Sequence, residues 1–226
     1  MNESMERVGR IVVDATSGNV TSRRQLLGKA VVTGLAAVPV LGLVSSASAA
    51  PQQKLDASSR EAFRDILLHE RDHVRALVGT LGSRARPKPT FQNLRPASFN
   101  AFVTASRTFE IVGVGAYLGA LPVIKSKEYV AAAGSIALIE AHHAGFLNVF
   151  SGKDVTTQAK DGKPTAFIKP LTVQEVVNAA GPFIKSLNGG PAASFTAGDD
   201  ISILNFALLL EYLELEFYQI NLPRFF

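Results

Sequence analysis

Four glutamates and two histidines in this chain sit at spacings that suit metal binding. Glu70 and His73 lie three apart in LLHERDHVRAL, and Glu140 and His143 lie three apart in ALIEAHHAGFL. Two more glutamates each precede a tyrosine by seven residues: Glu110 before Tyr117, and Glu211 before Tyr218. Residues three or seven apart share one face of an α-helix, so four helices could aim four carboxylates and two imidazoles at one place. Such a set makes a dinuclear metal site in a helical bundle. Oxygen and imidazole donors suit Fe or Mn, and also Zn. Isolated buried carboxylates are costly, and two divalent cations would neutralise four of them.

Each motif also has a plainer reading. A lone Glu-x-x-His is commonly a surface ion pair, and Tyr117 and Tyr218 could be core aromatics with a bonded hydroxyl rather than partners of the carboxylates. Glu214 lies near the face of Glu211, as a ligand, as a support for one, or as a residue at the stripe edge. His69 lies at the edge of the Glu70 stripe, where it could support a ligand or serve packing. His142 points away from its stripe. Glu216 lies roughly 140° from Glu211 on a helical wheel and reads as solvated. The segment from His69 to His73 also spells H-E-x-x-H, the signature of a single-zinc hydrolase in which both histidines bind zinc, the glutamate is a general base and Glu110 could be a third ligand. Its charged middle, Arg71 and Asp72, counts against a buried protease helix. That reading also leaves Glu140, His143 and Glu211 without a role.

The elements that must position these residues read as helices. From residue 56 to 78, Phe63, Ile66, Leu67, Glu70, His73, Val74 and Leu77 form one stripe. Residues 82–96, with Pro87, Pro89 and Pro96, read as a loop. A second helix spans 98–120, with Val103, Ser106, Glu110, Val114 and Tyr117 aligned, and Pro122 ends it. Gly113, Gly115 and Gly119 permit close helix contact. A third spans 126–150, with Ala133, Ile136, Ala137, Glu140, His143, Ala144 and Leu147 aligned. Residues 151–198 form a long Gly- and Pro-containing loop with one short helix, opened by the capping box Thr172-x-x-Glu175. The last helix starts near Asp199 or Asp200, with Leu204, Ala207, Leu208, Glu211, Leu215 and Tyr218 on its stripe. No period-two stretch is long enough for a sheet, so the expected fold is all-α.

Composition narrows the classes. The chain of 226 residues carries a formal charge of +4 without a basic cluster, which speaks against nucleic acid as a partner. It has no cysteine, hence no thiolate ligand and no disulfide. Its N-terminus has the parts of an export signal in order: Arg23-Arg24, an apolar run over residues 30–44 broken by Pro39, and Ala47-Ser48-Ala49 as a cleavage site. The run is too short for a comfortable membrane span. The expected organisation is a twin-arginine signal over 1–49, a periplasmic or extracytoplasmic destination, and one helical domain over 50–226 with no membrane span after cleavage.

The segments resemble the ferritin-like superfamily, closest to the bacterial proteins related to plant desiccation-related proteins. LNFALLLEYLELEFYQ resembles the first bundle helix of that group, HERDHVRAL its second, FEIVGVGAYLGA its third and IEAHHAGF its fourth. The resemblance implies a four-helix bundle with a long crossover, circularly permuted so that the first helix stands last. It also implies two Fe or Mn ions bridged by Glu70 and Glu140. Glu211 and His73 would complete one ion's shell, and Glu110 and His143 the other's. The implied chemistry is O2 or peroxide reduction, metal oxidation or catalase-like turnover; a non-catalytic envelope stress protein with structural or vestigial metal is the alternative. Donation of the last helix to a second copy, as a swapped homodimer, would satisfy the same pattern.

Overall fold

A computed structural model describes residues 55–158 and 162–226. The proposed signal and its cleavage site lie outside the described residues. Five helices follow in order: α1 (Ala57–Leu81), α2 (Phe99–Ala120), α3 (Lys127–Phe150), the short α4 (Val173–Ala180) and α5 (Asp200–Phe225). Two short strands, β1 (Thr90–Phe91) and β2 (Ile184–Ser186), and short 3-10 helices at Gly82–Arg84, Leu121–Val123 and Gly181–Phe183 complete the elements of the described residues. The helix starts follow local chemistry. Asp56, Ser98, Ser126, Thr172 and Asp199 each accept a backbone N–H of the first turn, and Thr172 and Glu175 close a reciprocal capping box. Each such cap stabilises its helix by about 1 kcal/mol.

Side-chain contacts fix the helix directions. Phe63, near the start of α1, packs its ring against Phe99 at the start of α2, against Phe146 and Phe150 at the end of α3, and against Phe226 just beyond α5. At the opposite end Leu77 and Leu81 share a core cluster with Tyr117, Ala120, Ala133, Ile136, Ile203 and Leu204. α1 and α2 therefore run parallel, and α3 and α5 run against them. α1 packs mainly on α5, and α2 mainly on α3. The aromatic layer and the aliphatic layer bracket the middle of the bundle, where the ligand-type residues sit.

Parallel neighbours need long connections along the bundle, and both are present. Residues 82–98 join α1 to α2, and residues 151–199 join α3 to α5. β1 and β2, one from each connection, pair antiparallel. That pairing was not legible in the sequence, because each strand is too short to show a period. The connections also cover α5. Asn221 donates to the Leu94 carbonyl at 2.7 Å, and the Arg86 guanidinium donates to the carbonyls of Asn205 and Pro191. α5 is consequently buried around most of its circumference, from Ile203 through Leu210 and again at Leu213, Glu214, Leu215, Phe217 and Tyr218. A helix that is apolar all round belongs in a core, which accounts for the apolar residues outside its expected stripe. It also runs past Gln219, where the resembling segment stops, and takes Pro223 into its last turns.

Two further expectations need correction. Glu216 is not simply solvated: its carboxylate is partly covered and pairs with Lys88 at 2.8 Å. Gly115 and Gly119 serve contact with a loop rather than with another helix. The Leu171 N–H donates to the Gly115 carbonyl at 2.8 Å, and a Cβ on Gly119 would lie 2.1 Å from the Leu171 carbonyl oxygen.

Candidate metal centre

All six ligand-type residues converge in the middle of the bundle. Glu70 and His73 come from α1, Glu110 from α2, Glu140 and His143 from α3, and Glu211 from α5. The four glutamates are fully buried, and both histidines are buried as well. They form two sets. Glu70, Glu110, Glu140 and His143 place one donor atom each within 4.8 Å of one another, and so do Glu70, His73, Glu140 and Glu211. Glu70 and Glu140 belong to both sets. Either set could hold a metal ion.

The distances show how the halves mirror each other. His73 Nδ1 lies 3.1 Å from Glu211 Oε2, 3.1 Å from Glu140 Oε1 and 3.4 Å from Glu70 Oε2. His143 Nδ1 lies 3.0 Å from Glu110 Oε2 and 3.1 Å from Glu70 Oε1. The tyrosines reach across the bundle. The Tyr117 hydroxyl donates to Glu211 Oε1 at 2.6 Å, and the Tyr218 hydroxyl donates to Glu110 Oε1 at 2.5 Å. Two antiparallel helices that each carry Glu and Tyr seven residues apart, set side by side, bring the tyrosine of each to the glutamate of the other. The sequence spacing showed the pairs; the exchange of partners is a tertiary result.

The four carboxylates are therefore not equivalent. Glu110 and Glu211 each accept from a tyrosine. Both oxygens of Glu70 and both of Glu140 are buried with no hydrogen-bond donor. Their approaches to the imidazoles are close but not aligned as hydrogen bonds. A buried carboxylate without donors is strongly unfavourable. The four orphaned oxygens belong to the two residues common to both sets, so cations held between those sets would satisfy all of them. The donor set fits a metal.

Electrostatics agree with that reading. Burial would raise the Glu70 carboxyl, but the two imidazoles beside it outweigh burial and hold it at about 2. Burial would lower His73 and His143; Glu211 and Glu70 lift the first to about 10, and Glu110 and Glu70 lift the second to about 10. Burial and then the neighbouring carboxylates drive Glu140 well up. Burial raises Glu211 to about 7 against the pull of His73 and Tyr117. The tyrosine hydroxyls are pushed well up by burial and by the carboxylates they bond. Without cations the site thus retains protons on its imidazoles and on Glu140.

Four surrounding residues have defined places. Glu214 is buried on α5, and burial followed by Glu211 drives its carboxyl well up. It belongs to neither set. A Cβ on Gly113 would lie 3.2 Å from Glu140 Oε2 and 3.3 Å from Glu214 Oε1, so glycine leaves space where two carboxylates meet α2. No motif marked that role. His69 is exposed at the bundle surface, and its Nδ1 lies 3.0 Å from His143 Nε2. It does not join His73 in either set, whereas the H-E-x-x-H reading requires both on one ion. His142 is exposed.

Comparison with curated proteins found no match, and comparison with solved structures found none. A family model described as a ferritin-like domain matches residues 24–153. That segment carries Glu70, His73, Glu110, Glu140 and His143 and ends before α5 and Glu211. The match spans more than half of the chain, and the described residues form an all-α bundle with a buried Glu and His cluster at its centre: the chain belongs to the ferritin-like domain family.

Proposed function

We propose that the protein is exported and holds a dinuclear Fe or Mn centre that reacts with O2 or peroxide under stress. The observation that carries the proposal is the pair of donor-less carboxylates, Glu70 and Glu140, common to both ligand sets. In this reading Glu70 and Glu140 would be shared by both ions, Glu211 and His73 would hold one of them, and Glu110 and His143 the other. Bound Fe or Mn would supply electron transfer to O2 or peroxide, which these side chains lack.

The protein's own residues do the rest. Tyr117 and Tyr218 hold one oxygen of Glu211 and Glu110 and leave the second free to face an ion. The aromatic and aliphatic layers keep bulk water from the centre. Gly113 lets Glu140 and Glu214 approach α2 closely, where a Cβ would crowd both carboxylates. α5 supplies the fourth wall and lies beyond the matched family segment, where a circularly permuted bundle would carry its first helix. A non-catalytic stress protein with structural metal uses the same ligand set and differs only in turnover.

Metal analysis of the folded protein is the direct test, with about two ions per chain expected. Glu70→Ala or Glu140→Ala should disturb both ions, and Glu211→Ala mainly one. Loss of O2 or peroxide consumption in the same variants would tie turnover to the centre. A protein with a single zinc, indifferent to substitution of Glu140 and Glu211, would overturn the reading.

A further inference from the structure

The two imidazoles of the centre differ in one respect. His143 presents Nδ1 to Glu110 and Glu70, while its Nε2 meets His69 Nδ1 at 3.0 Å. The two ring planes lie within 6° of parallel, with centroids 5.2 Å apart. That arrangement, with a short nitrogen-to-nitrogen distance, is an in-plane hydrogen bond rather than ring stacking. His69 is exposed, so the bond links the buried centre to the protein surface. Among the described residues, His73 has only Glu211, Glu70 and Glu140 near its Nδ1, and no side chain holds its Nε2.

We propose that His69 is a positioning residue for the His143 half of the centre and makes the two halves unequal in metal affinity. This rests on the dinuclear reading above. A ligating imidazole offers one bare nitrogen, so a neutral ring carries its proton on the other. For His143 to ligate through Nδ1, Nε2 must carry the proton and donate it to an acceptor. His69 Nδ1 is that acceptor, and its own Nε2–H then faces out. The bond fixes the ring plane before an ion arrives and holds the proton on Nε2, so that Nδ1 is the nitrogen that gives up its proton to ligate. Outer partners of this kind typically raise metal affinity about 10–100-fold. His73 has no equivalent, so the half containing His143 and Glu110 fills first.

The test is a titration of Co(II) into the metal-free full chain, followed by calorimetry and by the visible spectrum. The wild-type chain should show two unequal steps. His69→Ala should weaken the tighter step by about 10–100-fold and leave the weaker one in place. His69→Asn places an oxygen near the position of Nδ1, can accept the same N–H, and should restore most of that step. His142→Ala, an exposed neighbour on α3, should change neither. Two unaltered steps in His69→Ala would overturn the proposal. So would equal weakening of both steps, or an Asn variant no better than Ala, since either result means packing alone. A wild-type chain that takes up no Co(II) would sink the metal-centre reading itself, a distinguishable failure.

Discussion

At the residue scale, charge determines how the centre can load. His73 and His143 keep their protons up to about pH 10 in the metal-free site, and Glu140 is driven well above the usual carboxylate range. An imidazole must give up a proton to ligate through Nδ1, so metal binding near pH 7 releases protons. At least two protons per loaded centre are expected, measured by calorimetry in two buffers of different ionisation heat. Release of fewer than one would contradict the ligand set. The same shifts set the pH dependence of stability. A histidine raised from 6.5 to about 10 stabilises the fold fully below pH 6.5 and loses that contribution as pH rises through 10. The metal-free protein should therefore lose thermal stability between pH 7 and 10. The melting difference between loaded and metal-free protein should widen over that window.

At the element scale, two glycines on neighbouring helices are set in opposite environments. Gly119 lies under the strap that precedes α4, where a Cβ would strike the Leu171 carbonyl oxygen. Gly134 on α3 has nothing within 4 Å of where a Cβ would be. Gly119→Ala should destabilise by about 1–3 kcal/mol, because the strap must lift from α2 and strain its bond to Gly115. Gly134→Ala should stabilise by about 0.5–1 kcal/mol, because alanine loses less freedom in a helix. Denaturant melts of the two variants check both signs. If both move the same way, the strap does not lie against α2 as described. Elsewhere in the connections, Arg107 donates to Asn148 Oδ1 and to the Thr157 carbonyl, which ties the start of the second crossover to α2 and α3.

At the scale of the whole molecule, both long connections run the length of the bundle and meet in the β1–β2 pair. That arrangement lets the last helix close the core within one chain. Asp200, the first residue of α5, accepts the backbone N–H groups of Lys125 and Ser126 at 2.8 and 2.9 Å. The start of α5 is thereby fastened to the entry of α3. The proposed twin-arginine route, which carries folded proteins, would suit a metal centre assembled from four helices. Replacing Arg23 and Arg24 with lysine should leave the precursor in the cytoplasm, as cell fractionation would show. Continued export of that variant would exclude the route.

The sequence by itself determined what depends on neighbours within a few turns of helix. It marked helix starts near residues 56, 98 and 126, a cap at Asp199 or Asp200, the capping box at Thr172, and the faces carrying Glu70, His73, Glu110, Glu140, His143 and Glu211. Helical spacing alone dictates which of these residues align. Only the tertiary structure decided what depends on segments distant in the chain. Tyr117 bonds Glu211 and Tyr218 bonds Glu110, because α2 and α5 run antiparallel side by side. His69, an edge residue by periodicity, becomes the outer partner of His143 because α1 and α3 meet there. Glu70 and Glu140 differ from Glu110 and Glu211 in having no donor, although all four look alike as letters on a stripe. A side chain's periodicity tells which way it faces along its own helix, and only the packing of the other helices decides what it meets there.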